Sequence, residues 1–104
     1  MHIISYKKIR EFSKRHAGAS IPLKHWYRIV KRETFLTFAD VKNVFPSADA
    51  VKNFVVFNIG GNNYRLIACI RYPLNRVFIR HILTYDAYNR EKWKEDVWFK
   101  SSRN

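Results

Sequence analysis

Arg65, Arg71, Arg76 and Arg80 fall within one stretch, YRLIACIRYPLNRVFIR, with His81 directly after the last of them and Tyr85 and Tyr88 close behind. Each residue type has a chemistry. Arginine offers a fork of donors that keeps its charge at working pH and grips a phosphate through two parallel hydrogen bonds. Tyrosine donates or relays a proton, or stacks on a base, and histidine titrates near neutrality. Together they suit cleavage of RNA without a metal, because RNA brings its own nucleophile in the 2′-hydroxyl. The protein need only align it, stabilise charge on the pentavalent phosphate and manage two protons. A module that binds RNA without cutting it has the same composition.

Other chemistries find less support. His2, His16, His25 and His81 are scattered, Cys69 is the only cysteine, and no pair has the spacing of a zinc site. Neither metal nor cofactor is therefore expected. Gly60-Gly61 reads as a link between two strands and not as the start of a phosphate-cradling helix. Asp49 is the only acid between Val41 and Tyr85, so a carboxylate pair working as general acid and base is not expected there.

Twenty Lys and Arg against eight Asp and Glu leave +12 at neutral pH, which points to a polyanionic partner. Lys42, Lys52, Arg71 and Arg76 are the candidates for holding flanking RNA backbone, with a merely solvated face as the even alternative. With 47% hydrophobic and 16% aromatic residues in 104, the chain reads as one folded domain, residues 1–104. A lone cysteine in an apolar run fits a reducing cytosol. No apolar run approaches the roughly 18 residues of a spanning helix, and MHIISYKKIR does not read as a signal peptide, so the expected place is the cytoplasm.

The elements that must position these side chains follow from periodicity. Ile3-Ile4 suits a short edge strand, Ser5 a cap for a helix from Tyr6 to Ala17, and Gly18 its end. Ser20 reads as the next cap, and Leu23, Trp26, Tyr27 and Val30 form the buried stripe of a second helix. A connection follows from Thr34 to Ala50, with a helical turn near Ala39 to Val44. Phe54 to Ile59, Asn63 to Tyr72 and Arg76 to Leu83 then read as three antiparallel strands. Alternation puts Tyr64, Leu66, Ala68, Ile70 and Tyr72 on one face and Arg65, Ile67, Cys69 and Arg71 on the other. In the last strand it puts His81 in the apolar row with Val77, Ile79 and Leu83, so a half-buried histidine is the simpler reading of it. With the apolar rows packed on the helices, Arg65, Arg71, Arg76 and Arg80 would share an open face. Thr84 could cap a last helical segment through Tyr85, Tyr88, Trp93 and Val97, and the tail from Lys100 to Asn104 reads as frayed. The fold class is thus α+β: two N-terminal helices on a small twisted antiparallel sheet, with a short C-terminal helix.

The stretch VFPSADAVKNFVVFNIGGNNYRLIACIRYPLNRVFIRHILTYDAY, Val44 to Tyr88, resembles the core of the HigB toxin family within the RelE-like ribonucleases. FNIGG, YRL and FIRHILT occur in that order after the MHIIS opening. The resemblance implies cleavage of translated messenger RNA at the ribosome and neutralisation by a helix-turn-helix antitoxin. By motif position, Arg65 and Arg80 would bind the scissile phosphate, and Tyr88 would be the tyrosine that closes a Thr-His-x-x-Tyr segment. Here Tyr85 stands in place of that histidine, so the proton role passes to Tyr85 or to His81, or this member is slow. The rival readings are a non-catalytic binder of RNA or ribosomes, and a protein-interaction partner or DNA corepressor.

Overall fold

A computed structural model describes residues 1–101 of the chain. Five strands form one sheet: β1 (His2–Ile4), β2 (Asp49–Val51), β3 (Phe54–Ile59), β4 (Tyr64–Arg71) and β5 (Arg76–Thr84), in the spatial order β1-β5-β4-β3-β2. Strands β2 to β5 run antiparallel as a meander, while β1 joins β5 in parallel. The hairpin between β3 and β4 turns at Gly60 and Gly61, whose φ values of 60° and 66° suit residues without a Cβ.

Helices α1 (Tyr6–Arg15) and α2 (Ser20–Arg32) cover one face of the sheet. Ile9 and Phe12 from α1, and Leu23, Trp26 and Val30 from α2, pack there against Phe57, Leu66, Ala68, Val77 and Ile79. Residues at helical spacing on one side meet residues at spacing two on the other, which is how a helix layer and a sheet share a core. Helix α1 ends two residues earlier than its pattern suggests, because Ala17–Ala19 tightens into a 3₁₀ turn. Ser20 lies inside α2 rather than capping it, and neither Ser5 nor Ser20 makes a capping side-chain bond. A third helix, α3 (Phe38–Val44), starts at a Thr37–Asp40 capping box.

Strand β2 falls where the sequence suggests only connection. A larger departure lies at the C-terminal end. One continuous helix was expected there, but the chain forms α4 (Tyr85–Asn89), a 3₁₀ turn over Lys92–Glu95 and α5 (Val97–Lys100). Glu91 makes the break, with a left-handed φ of 61°. The chain thereby folds back across the second face of the sheet, where Trp93 and Phe99 join Phe54, Val56, Ile67 and Cys69 in a smaller core. The expected open arginine face is therefore covered by an aromatic layer. Of the tail read as frayed, Lys100 closes α5, Ser101 follows it, and residues 102–104 lie outside the described part. Among the described residues no helix is long and apolar enough to cross a membrane.

Candidate active site

The ladder between β4 and β5 slips once. Ile67 stands opposite His81 and Ala68 opposite Ile79, leaving Arg80 as an extra residue without a partner. Such a bulge reverses the facing of every residue beyond it. Val77 and Ile79 accordingly pack into the helical core before it and Ile82 after it, while Leu83 crosses to the aromatic layer. His81 crosses as well. Strict alternation assigned it to the apolar row beneath the helices, and the bulge moves it to the side occupied by Arg65 and Arg80.

There it meets an acid that the sequence reading did not single out. Arg80 donates from Nε and Nη2 to the two carboxylate oxygens of Asp96, each at 2.9 Å. His81 Nε2 lies 2.8 Å from Oδ2 of the same group, and the backbone N–H of Trp98 donates to Oδ1 at 2.8 Å. The Asp96 side chain is only 3% exposed. Burial alone would raise its pKa, but the hydrogen bonds from Arg80, Trp98 and His81 lower it to about 2. The carboxylate is thus ionised and can only accept, so His81 Nε2 carries the proton and the lone pair of the neutral ring sits on Nδ1. Burial lowers the pKa of His81, against the opposing pull of Asp96, with Arg80 and Lys8 adding to the decrease. An imidazole that is neutral at neutral pH, oriented by a carboxylate and 28% exposed, has the form of a general base.

The space beside it is a cleft of about 210 Å³ between α1 and β5. Strand β1 pairs only with Arg76, Val77 and Phe78, so the edge of β5 is left uncovered past that point. Lys8, Glu11 and Arg15 from α1 face Arg80 and His81 from β5 across the cleft. Lys8 and Arg15 recur on one side of α1, which gives the cleft two exposed cations against one acid.

The other candidates divide into groups. Arg65 shares the side of Arg80 but is only 8% exposed. Its guanidinium lies 5.0 Å from the Tyr85 ring and 5.6 Å from the Tyr88 ring, and Nη1 donates to the Tyr64 carbonyl. Tyr88 also stacks on Trp93 at 5.5 Å. Arg65 and Tyr88 therefore hold α4 against the sheet, whereas Tyr85 stays 46% exposed. Arg71 and Arg76 face each other at the far end of β4 and β5, roughly 20 Å of strand from Arg65. The four arginines share one side of the sheet, but they cannot converge on a single phosphodiester. Lys42 donates to the Ala48 carbonyl at 2.9 Å, and the Lys52 ammonium lies 4.7 Å from the Phe99 ring. Both belong to the β2 side of the sheet, away from the cleft. Among the described residues no three His, Cys, Asp or Glu side chains gather as metal ligands.

A signal for the missed acid was present. Asp96 precedes the apolar run Val97-Trp98-Phe99, the pattern of a helix cap.

Comparison with known proteins gives consistent results. Residues 19–91 match the family described as HigB_toxin, RelE-like toxic component of a toxin-antitoxin system. An mRNA interferase HigB from Escherichia coli is 32% identical over 93 residues, covering 86% of this chain and 90% of that protein. An mRNA interferase HigB from Shigella flexneri is 27% identical over 92 residues, covering 86% and 88%. Arg80 and His81 lie within the family match, and Asp96 lies just beyond it.

Proposed function

The chain belongs to the HigB toxin family, the RelE-like toxic components of toxin-antitoxin systems, and from that premise we propose that it cuts RNA at the uncovered edge of β5 with His81 as the base. It is an mRNA interferase, an endoribonuclease with an antitoxin as its counterpart. The observation that carries the site is the bulge at Arg80, which turns His81 out of the helical core and onto Asp96 beside a cation-lined cleft.

Cleavage in this reading starts when Nδ1 of His81 takes the proton of the ribose 2′-hydroxyl. The O2′–P bond forms, the P–O5′ bond breaks, and the departing 5′ oxygen is protonated from the solvent side of the cleft, with Tyr85 as the candidate donor. The products are a 2′,3′-cyclic phosphate and a 5′-hydroxyl. Asp96 stabilises the imidazolium that forms, as a buried carboxylate does in other carboxylate–histidine pairs. Lys8, Arg15 and the guanidinium edge that Arg80 does not give to Asp96 take up charge on the phosphate. Arg65 acts at one remove by holding Tyr85 and Tyr88 in position. No step needs a metal, because the nucleophile belongs to the substrate.

We read the translating ribosome as the setting: a narrow edge cleft admits single-stranded message, and the basic outer faces of α1 and α2 are suited to ribosomal RNA. The same reading takes residues 1–104 as one RelE-like domain, the cytoplasm as its compartment and a helix-turn-helix protein as its antitoxin. The test is to incubate the protein with translating ribosomes and map the new message ends. Ends bearing a 2′,3′-cyclic phosphate should form, and a single 2′-deoxy substitution should abolish the cut at that nucleotide. Ends without a cyclic phosphate, or cutting that survives the substitution, overturn the mechanism.

A further inference from the structure

A second hollow adjoins the cleft at His81. It measures about 280 Å³ and is lined by His81, Leu83, Ala87, Arg90, Lys92 and Trp93, and His81 and Leu83 belong to both walls. Its chemistry differs from that of the cleft. Leu83, Ala87 and the buried Trp93 make an apolar interior, Arg90 and Lys92 stand exposed at the mouth, and no carboxylate lines it.

Each feature narrows the occupant. A bare phosphate would be stripped of water against leucine and indole with too little in return. A wholly apolar ligand would leave two cations without use. A flat heterocycle carrying a phosphate on its sugar satisfies both parts, with the ring inside and the anion at the rim. The volume is just below the roughly 300 Å³ at which sites for larger ligands begin, so it suits one base. The wall is also preformed: Trp93 is stacked on Tyr88 with an interplanar angle of 6°, and its Nε1 donates to the Tyr88 carbonyl at 3.1 Å.

We propose that this cavity takes the unpaired nucleobase of the nucleotide beside the scissile phosphate. Leu83, Ala87 and Trp93 then set the sequence preference, and Arg90 and Lys92 hold the flanking phosphate. The proposal rests on the reading of His81 as the base, since a nucleotide seated here brings its ribose against the imidazole. Ala87 is the determinant most open to test, because its methyl is the smallest side chain in the wall and any enlargement fills the cavity.

The experiment is a titration of methyl-labelled protein with each of the four nucleoside 3′-monophosphates, followed at the Ala87 methyl. Saturable shifts are expected, with affinities that differ several-fold among the bases. Ala87→Leu should weaken the best ligand at least tenfold and change the order of preferred cut sites on a single message. Should Ala87→Leu fail to fold, the double variant Arg90→Gln, Lys92→Gln carries the test through exposed residues: affinity should fall about tenfold with the ranking of bases kept. Equal responses to all four nucleotides, an unaltered cut pattern in Ala87→Leu, or unchanged affinity in the double variant overturns the proposal. Failure of the underlying reading has a different signature, namely His81→Gln still cutting RNA while the base-dependent Ala87 shifts persist.

Discussion

Asp96 accepts hydrogen bonds from Arg80, His81 and the Trp98 backbone, so one carboxylate fixes a cation, a base and the start of α5. Its value to the fold depends on pH. Folded, it titrates at about 2 against 3.8 ordinarily, a gap worth about 2 kcal/mol. The pKa is depressed, so the contribution is complete above about pH 4 and is lost as pH falls toward about 2. Asp96→Asn should therefore be less stable than wild type by about 2 kcal/mol near pH 6, and the two proteins should converge near pH 2. Denaturant unfolding at both pH values checks this, and equal stability near pH 6 would show that the carboxylate network contributes nothing. Arg65 shows the opposite relation between sequence and role. Its position in the YRL segment was legible, but its burial under Tyr85 and Tyr88 was not, because no local pattern tells a stacked arginine from an exposed one.

Among the elements, the strand that carries the chemistry is also the irregular one. Strands β3 to β5 were legible to within a residue or so, because the β-branched runs and the Gly60-Gly61 link point the same way. The bulge was not, because Arg80, His81, Ile82 and Leu83 satisfy alternation in either facing, and only pairing with β4 decides between them. The C-terminal helix was misjudged for a related reason. Its break at Glu91 has neither glycine nor proline to announce it, and it arises because Trp93 and Phe99 both need the sheet as their partner. Glu91 is strained there by its left-handed φ of 61°. Glu91→Gly should remove that strain and stabilise the protein by up to about 1 kcal/mol, since its exposed pair with Lys94 is worth little. A thermal melt several degrees higher is the expected result, and a lower one would mean that the turn does not hold in solution.

Across the whole molecule the sheet is buried on both faces, by α1 and α2 on one side and the aromatic C-terminal layer on the other. The site proposed for RNA is accordingly an edge, the one that β1 fails to cover and where Arg80 and His81 come out. Net charge foretold a polyanion, but not which edge would receive it: Lys42, Lys52, Arg71 and Arg76 lie apart from the cleft, while Lys8, Arg15, Arg90 and Lys92 border its two hollows. Lys8 and Arg15 stand on α1 and Arg90 and Lys92 beyond α4, two pairs that only the tertiary fold brings to either side of His81. The account stands or falls on His81. The most direct measurement is the single-turnover rate of cleavage of one message by His81→Gln beside wild type, with thermal melts run in parallel. A base in direct contact with the 2′-hydroxyl predicts a rate at least about 100-fold slower with the melt unchanged. A folded His81→Gln that cuts within about threefold of wild type, well short of that general-base effect, would contradict it.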